Sequence, residues 1–344
     1  MELRNIIRMG WGVFCAHAWD RKGPLNVMLS ITNRCSCRCN YCNIFNRQTR
    51  ELKTTEIFEL IDQIRQLGCQ RLGLWGGEPL LRDDIGEIIN YAKKKKLFVT
   101  LDSNGYLLPQ KIKLLKNLDQ LILAFDGPKQ MHDLNKEEGS FEKVMAAIEA
   151  AKGKIKFWTI TVLTKNNLDS IDFILEKARE YNFLAAFQLL HHNDILSRNQ
   201  SALLPPAQEC REAIQKLILA KHKGQPIASS ESYLRYILNW PDYKKVISPD
   251  SINGLKCWAG RLYCNVDTDG SLFPCSLLIG KGKALNFLEV GFKKAFNNLR
   301  HEFCNACMGG CFTEYNYLYS LHINTIIDWL NSMKRTKSFI VRRS

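Results

Sequence analysis

Between residues 25 and 190 the chain alternates two kinds of segment. Short apolar runs fall at 25–31, 71–75, 98–102, 120–125, 156–163 and 185–190. Stretches with helical spacing of apolar residues lie between and after them, at 55–67, 83–95, 109–118, 140–152 and 168–181. Thr54-Thr55-Glu56 and Gly139-Ser140-x-Glu142 are helix starts, Asp83-Asp84 puts acid in another first turn, and Gly68 suits a helix end. Six strands alternating with helices predict an α/β fold with a parallel sheet and right-handed crossovers.

The unusual residues follow the strands. Positions 34–42 follow the first, and Gly76-Gly77-Glu78-Pro79 the second. Ser103-Asn104-Gly105, Asp126-Gly127-Pro128, Thr164-Lys165-Asn166-Asn167 and His191-His192-Asn193-Asp194 follow the other four. Loops at the carboxyl ends of barrel strands build the active site. All six loops are therefore expected to converge on one mouth.

The first of these loops carries Cys35, Cys39 and Cys42 in a Cys-x3-Cys-x2-Cys pattern, with Tyr41 before the last and Cys37 between. Thiolates this close repel one another unless a metal holds them. Zinc wants four closed ligands, and no histidine lies nearby to complete a set. Three cysteines suit a cubane iron–sulfur cluster with one iron left open.

Cys-x3-Cys-x-aromatic-Cys resembles the signature of radical S-adenosylmethionine (SAM) enzymes. The resemblance implies a partial (β/α)6 TIM-like barrel with its cluster loop after the first strand. Cys35, Cys39 and Cys42 would hold a catalytic 4Fe–4S cluster whose open iron chelates SAM. One electron, from a flavodoxin- or ferredoxin-type donor, would then cleave SAM to a 5′-deoxyadenosyl radical that abstracts hydrogen from a substrate. Gly76, Gly77, Glu78 and Pro79 resemble the family's Gly-Gly-Glu-Pro motif, expected to meet the SAM amino group. Glycine permits close backbone approach, and Glu78 can accept from an ammonium. Ser103 and Asn104 resemble the turn that contacts the SAM ribose or carboxylate. Lys165 is expected at the carboxylate, Asn166 or Asn167 at the ribose, and Tyr41 over the adenine. Asp126, His191 and His192 are candidate substrate contacts.

A second cysteine set comprises Cys257, Cys264, Cys275, Cys304, Cys307 and Cys311. Residues 266–273 read as a hairpin turning at 267–270, from whose second strand Cys275 emerges. The pattern Cys-x12-Gly-x4-Cys followed by Cys-x2-Cys-x3-Cys resembles the SPASM or shorter Twitch extension, which carries auxiliary 4Fe–4S clusters. It departs from the full SPASM pattern, because the downstream run is shortened and no cysteine follows Cys311. Six cysteines cannot fully ligate two cubanes. One auxiliary cluster is expected, drawn from Cys257, Cys275, Cys304, Cys307 and Cys311 with Cys264 in reserve; zinc is the alternative.

With 344 residues, 46% of them hydrophobic, the chain can bury a large core. No run of about 18 apolar residues predicts a membrane span, and residues 1–23 lack the apolar core of a signal peptide. Thirteen cysteines with clustered spacing then read as metal ligands in a reducing cytoplasm. The formal charge is +14, from 48 Lys and Arg less 34 Asp and Glu. Such a charge fits an anionic partner, although cluster-bound thiolates would lower it and the run at 93–96 suits a helix end. Residues 3–14 have apolar residues at helical spacing with Arg4 and Arg8 off that face, which suits docking onto the protein or a peripheral contact with the inner membrane face.

The expected division is an amphipathic helix at 1–24, the barrel at 25–225, a connector at 226–254, the auxiliary domain at 255–313, and a helix with a basic tail at 314–344. The leading substrate is a peptide or protein side chain, or a natural-product precursor, although about 24 residues before the first strand are too few for a winged-helix peptide-recognition domain. A membrane lipid or isoprenoid is the alternative. A reading from another class is a zinc-stabilised nucleic-acid-binding protein.

Overall fold

The six expected strands pair side by side, in parallel and in chain order, in the computed structural model, which describes residues 3–300 and 302–341. They are β1 (Asn26–Ser30), β2 (Arg71–Trp75), β3 (Phe98–Ser103), β4 (Gln120–Ala124), β5 (Phe157–Leu163) and β6 (Leu184–Leu189). The helices of this half are α1 (Leu3–Ala18), α2 (Thr54–Gln66), α3 (Ile85–Lys94), α4 (Leu108–Lys111), α5 (Lys129–Asn135), α6 (Ser140–Ala151) and α7 (Ile171–Tyr181). The parallel sheet expected from the alternation is present, in the partial TIM-like barrel form that the resemblance implied.

The strand pleat divides the sheet into two faces. Val27, Leu29, Leu72, Leu74, Val99, Leu101, Leu121 and Leu123 are fully buried and share one core with Ile57, Leu60, Ile61 and Ile64 of α2 and Ile85, Ile88 and Ile89 of α3. Each such side chain contributes about 1.5–3 kcal/mol on burial. On the opposite face Met28, Trp75, Asp102, Ile122, Trp158, Ile160, Val162 and Gln188 are only partly covered. The inside of the barrel is therefore a chamber rather than a filled core.

The second half adds α8 (Gln200–Leu203), α9 (Ala207–His222), α10 (Glu231–Leu238), β7 (Ile247–Ser248), β8 (Tyr263–Val266) and β9 (Leu272–Phe273). It ends with α11 (Phe287–Val290), α12 (Phe292–Asn297), β10 (Ala306–Cys307), α13 (Gly310–Tyr319) and α14 (Ile323–Val341). The expected hairpin is present, with Val266 paired to Leu272. Its first strand lies parallel to β1, from Asn26 opposite Tyr263 to Leu29 opposite Val266. The cysteine-rich segment thus extends the barrel sheet to eight strands.

Several expectations need correction. The expected connector at 226–254 is packed in part: Tyr233, Tyr236, Ile237 and Trp240 are buried in the main core, and Ile227 bridges Ala185 of β6. Many of its apolar residues fall on one short helix, so the stretch as a whole reads as polar. The helix expected at 109–118 is α4 plus a tight turn at Ile112–Leu115. Helix α5, led by Pro128, was not legible. The helix expected from 314 is two, broken where Leu321 takes the left-handed conformation at φ +58°. Backbone at 334–341 continues α14, and 342–344 lie outside the described residues. No described helix is long and apolar enough to cross a membrane.

A buried ion pair joins the halves. Arg47, downstream of the cysteine loop, donates to Asp267 Oδ1 at 2.9 Å and Oδ2 at 2.5 Å, and to Asn33 Oδ1 at 3.1 Å. Both side chains are under a tenth exposed. Removing one partner strands the other charge away from water. Asp267→Ala is expected to lower unfolding free energy by about 3–5 kcal/mol in urea melts, whereas Asp269→Ala, next to the same turn, changes it far less.

Candidate active site

The loop after β1 is pinned from below by the loop after β2. Gly77 N–H donates to Thr32 O at 2.7 Å and Glu78 N–H to Arg34 O at 2.8 Å. A Cβ on Gly76, whose φ is +137°, would lie 2.4 Å from Thr32 O, and one on Gly77 2.2 Å from Arg34 O. Both glycines are thus demanded by this backbone-to-backbone approach. Glu78 is fully buried and accepts from Leu80 N–H at 2.9 Å, Ser103 Oγ at 2.8 Å and Asn104 N–H at 2.7 Å. Burial pushes its carboxyl up to about 7, while those three donors pull it down. Glu78 and Ser103 therefore brace loop against loop instead of facing a ligand, and Pro79 begins the turn that follows.

Asn104 does face the cysteine loop. Its Nδ2 donates to Ser36 Oγ at 3.2 Å and lies 3.8 Å from Cys35 Sγ. Cys35, Cys39 and Cys42 are partly exposed, whereas Cys37 is buried with its Sγ 3.4 Å from Cys39 and 3.2 Å from Tyr106 OH. Burial pushes the Cys35 thiol up to about 12 and Cys42 up to about 11. Cys39 is held below the ordinary thiol value, chiefly by its bond with Cys37 and also by Lys136.

Lys136 is the residue that sequence reasoning missed. It is buried, with Nζ 2.7 Å from Tyr41 OH, 3.1 Å from Asp126 Oδ2 and 3.9 Å from Cys39 Sγ. Burial opposes its charge, but Asp126 and the neighbouring thiols hold it protonated. Tyr41 OH donates to Asp126 Oδ2 at 2.9 Å, and Asp126 Oδ1 accepts Val162 N–H at 3.0 Å. Asp126 is fully buried and bonded to Tyr41, Lys136 and Val162, and the Tyr41 phenol is committed to the same triad. A single lysine just past an unread helix gave no signal in the sequence.

The loops after β5 and β6 also differ from expectation. Asn167 Oδ1 accepts Thr164 N–H at 2.7 Å, and its Nδ2 donates to the carbonyls of Asp126 and Val162, leaving no group free for a ribose. The Lys165 side chain is exposed to solvent. His192 is exposed and paired with Asp194 at 3.0 Å. His191 is half-buried, with Nδ1 covered and without a hydrogen-bond partner among the described residues. Arg198, unnoticed in the sequence, donates to the carbonyls of Arg38 and Cys39, each at 2.9 Å, and shares the Phe45 ring with Arg38. Asn193 Nδ2 donates to the carbonyls of Ser276, Leu277 and Ile279, which ties this loop to the second cysteine segment.

Below the cysteine loop, strand register sets a row across the chamber: Ser30 opposite Trp75, Asp102 opposite Ile122, Ile122 opposite Trp158. Asp102 Oδ1 and Trp158 Nε1 are covered yet have no hydrogen-bond partner among the described residues. Burial pushes the Asp102 carboxyl up to about 6, and Arg71 pulls it down. Arg71 itself donates to Asn26 Oδ1 at 2.9 Å, to Thr100 Oγ1 at 2.8 Å and to Tyr315 OH.

The second cysteine set divides. Cys275, Cys304 and Cys307 share one buried cluster against which Cys257 packs. Burial raises all four thiols; neighbouring thiols of the set raise Cys275, Cys304 and Cys307 further, whereas hydrogen bonds from Ala259, Tyr263 and Asn316 pull Cys257 back down. Cys264, on β8, faces Cys69 and Lys22 instead. Cys311, in the first turn of α13, faces Asp102 and Arg71 and lies close enough to Cys307 to raise that thiol. Four of the expected five thus share the buried cluster, with Cys311 at its edge. Among the described residues no three His, Cys, Asp or Glu side chains converge closely enough to hold a single metal ion. Thiolates on separate irons of a cubane sit wider apart than those around one zinc.

Gly77→Ala is expected to push the loops apart and lower the iron retained after anaerobic reconstitution to well below half of wild type, read from the charge-transfer absorbance. Gly10→Ala, in helix α1 with helical φ and an added Cβ that meets nothing, leaves it unchanged.

Residues 29–178 match the family model described as the radical SAM superfamily. The fold is shared with Streptococcus suis SuiB bound to S-adenosylmethionine, at 16% identity and TM-score 0.63 over 88% of this chain and 77% of that one. SuiB bound to precursor peptide SuiA matches at 15% identity and TM-score 0.64, covering 88% and 75%. Native anSMEcpe with bound AdoMet and Kp18Cys peptide matches at 19% identity and TM-score 0.64, covering 93% and 98%. The family match begins on β1 and ends on α7, so it takes in the cysteine loop and the Gly76-Gly77 loop that pins it: residues 29–178 form a radical SAM domain, and the chain is an iron–sulfur enzyme.

Proposed function

We propose that this enzyme uses SAM to modify a peptide or protein side chain by hydrogen abstraction. The observation that carries the reading is the clamped cysteine loop, which presents Cys35, Cys39 and Cys42 partly exposed at the mouth of the chamber. Three thiols on one loop, with the Lys136 cation beside Cys39 and the Asn104 amide beside Cys35, fit a cluster with one open iron. When bound there, the cluster supplies the electron that cleaves SAM to the radical that takes hydrogen from the substrate. The chain's own part is placement. Arg198 and the Gly76-Gly77 backbone fix the loop, and Lys136 offsets thiolate charge. Asn104, expected at SAM, reaches the cysteine loop with its side chain from the loop after β3.

In the chamber, Asp102 Oδ1 is an acceptor and Trp158 Nε1 a donor, each lacking a partner. That pairing suits a peptide amide, which offers one of each. Peptides are bound in SuiB and anSMEcpe, whose fold this chain shares. The segment 255–313 would hold one auxiliary cluster through Cys257, Cys275, Cys304 and Cys307, leaving Cys311 on the chamber side. A flavodoxin- or ferredoxin-type protein would supply the electron. A lipid or isoprenoid substrate is disfavoured by the polar atoms of the chamber wall that lack a hydrogen-bond partner among the described residues.

Anaerobically reconstituted wild type should carry about eight irons and form 5′-deoxyadenosine from SAM with dithionite. The Cys35→Ala/Cys39→Ala/Cys42→Ala variant should keep about four irons and lose that product. Cys257→Ala/Cys304→Ala should lose the other four, and Cys311→Ser none. Loaded wild type that never cleaves SAM would sink the enzymatic reading. Iron loss in Cys311→Ser would sink the four-thiol assignment.

A further inference from the structure

Helix α1 is half docked and half bare. Its inner face lies under the barrel: Val13 and Ala16 are buried with Leu25, and Asn5 Nδ2 donates to Lys96 O at 3.4 Å. His17 Nε2 contacts Tyr319 O at 2.7 Å. The outer face carries Ile7, Trp11 and Phe14, which are 62%, 59% and 50% exposed, with Trp19 just beyond at 65%. The three rings form one patch: Trp11 stacks on Phe14 at 5.4 Å, and Trp19 stands edge-on to both at 6.1 and 5.5 Å. Arg4 falls along one edge of this face with Arg8 beyond it, and both lie near enough to Arg65 to depress its pKa. No carboxylate pairs with Arg4, Arg8 or Arg65 among the described residues.

An unpaired basic edge beside a bare aromatic face matches the two layers of an anionic bilayer surface. Headgroup phosphates would meet the arginines, and the amphipathic rings would sit at the acyl boundary. A polyanion such as nucleic acid would use the arginines but leave the apolar face in water. We propose that α1 is an in-plane anchor that docks the barrel base onto a membrane containing anionic phospholipid.

The orientation follows from the fold. Leu25 and Lys96, which α1 touches, precede β1 and β3, whereas the cysteine loop follows β1 at the opposite end. A docked molecule therefore keeps its mouth toward the aqueous side, open to SAM and a peptide. One short helix with a few cations gives reversible, salt-sensitive binding.

The test is co-sedimentation of the full chain with vesicles of phosphatidylcholine, with and without about one-third phosphatidylglycerol, at about 0.1 M KCl. Protein should pellet with the anionic vesicles alone, and about 0.5 M KCl should release it. Trp11→Ser/Phe14→Ser/Trp19→Ser should lower partitioning at least tenfold. Arg4→Ala and Arg8→Ala should each lower it about fivefold. Circular dichroism and SAM cleavage should be unchanged in all of them, and these exposed arginine variants guard against misfolding of the triple one. Protein that stays in the supernatant on anionic vesicles, pellets equally with neutral ones, or pellets undiminished in every variant overturns the proposal. So does light scattering that shows a wild-type dimer which the triple variant abolishes, since the patch is then a self-association surface.

Discussion

Two hydrogen bonds between neighbouring loops hold the active end of this molecule together. Gly77 and Glu78 donate their amides to the carbonyls of Thr32 and Arg34, at a separation that leaves no room for a Cβ on either glycine. A loop carrying three cysteines has no regular structure of its own to fix it. Its shape comes from what surrounds it: the second loop beneath, Glu78 fastening that loop to the third, Arg198 gripping two of its carbonyls from the sixth. Rigid placement of this kind is what a radical reaction needs, because the protein contributes position while the cofactors contribute reactivity.

The same economy links the two halves. The hairpin that leads to Cys275 is also the strand pair that extends the barrel sheet beside β1, and Arg47 and Asp267 lock its turn to the segment after the cysteine loop. Asn193 adds a second tie from the sixth loop. The barrel sheet therefore runs from the first cysteine loop to the hairpin before Cys275, while Cys307 lies on β10, paired with β7 in a separate two-stranded sheet. Between the two cysteine groups lies a chamber whose walls alternate apolar residues with a few polar atoms that have no partner among the described residues. Such atoms are costly to bury unless something binds them.

Much of this was legible in advance. The strands are found within a residue or two of their expected ends, because apolar runs bounded by turn residues leave little ambiguity. The loops expected at the mouth are there for the same reason. What failed was the assignment of tasks within them. Glu78, Asp126 and Asn167 have the chemistry of ligands, yet their hydrogen-bonding capacity is taken up by neighbouring loops. Whether a carboxylate faces a substrate or a backbone amide depends on atoms far away in the chain. Lys136 and Arg198 illustrate the converse: lone cations in unremarkable stretches, given a role by partners about 100 and 160 positions distant.

The sequence by itself determined the alternating architecture, the three-thiol loop after the first strand and the presence of a second metal-type cysteine group. These rest on local periodicity and spacing, which need no knowledge of distant contacts. Only the tertiary structure decided that Cys257, Cys275, Cys304 and Cys307 gather with Cys311 at their edge while Cys264 faces elsewhere, that Tyr233, Tyr236, Ile237 and Trp240 join the core, and that α1 lies at the end opposite the mouth. Those facts follow from which surfaces meet when the sheet closes, a property of the whole chain that no local pattern encodes.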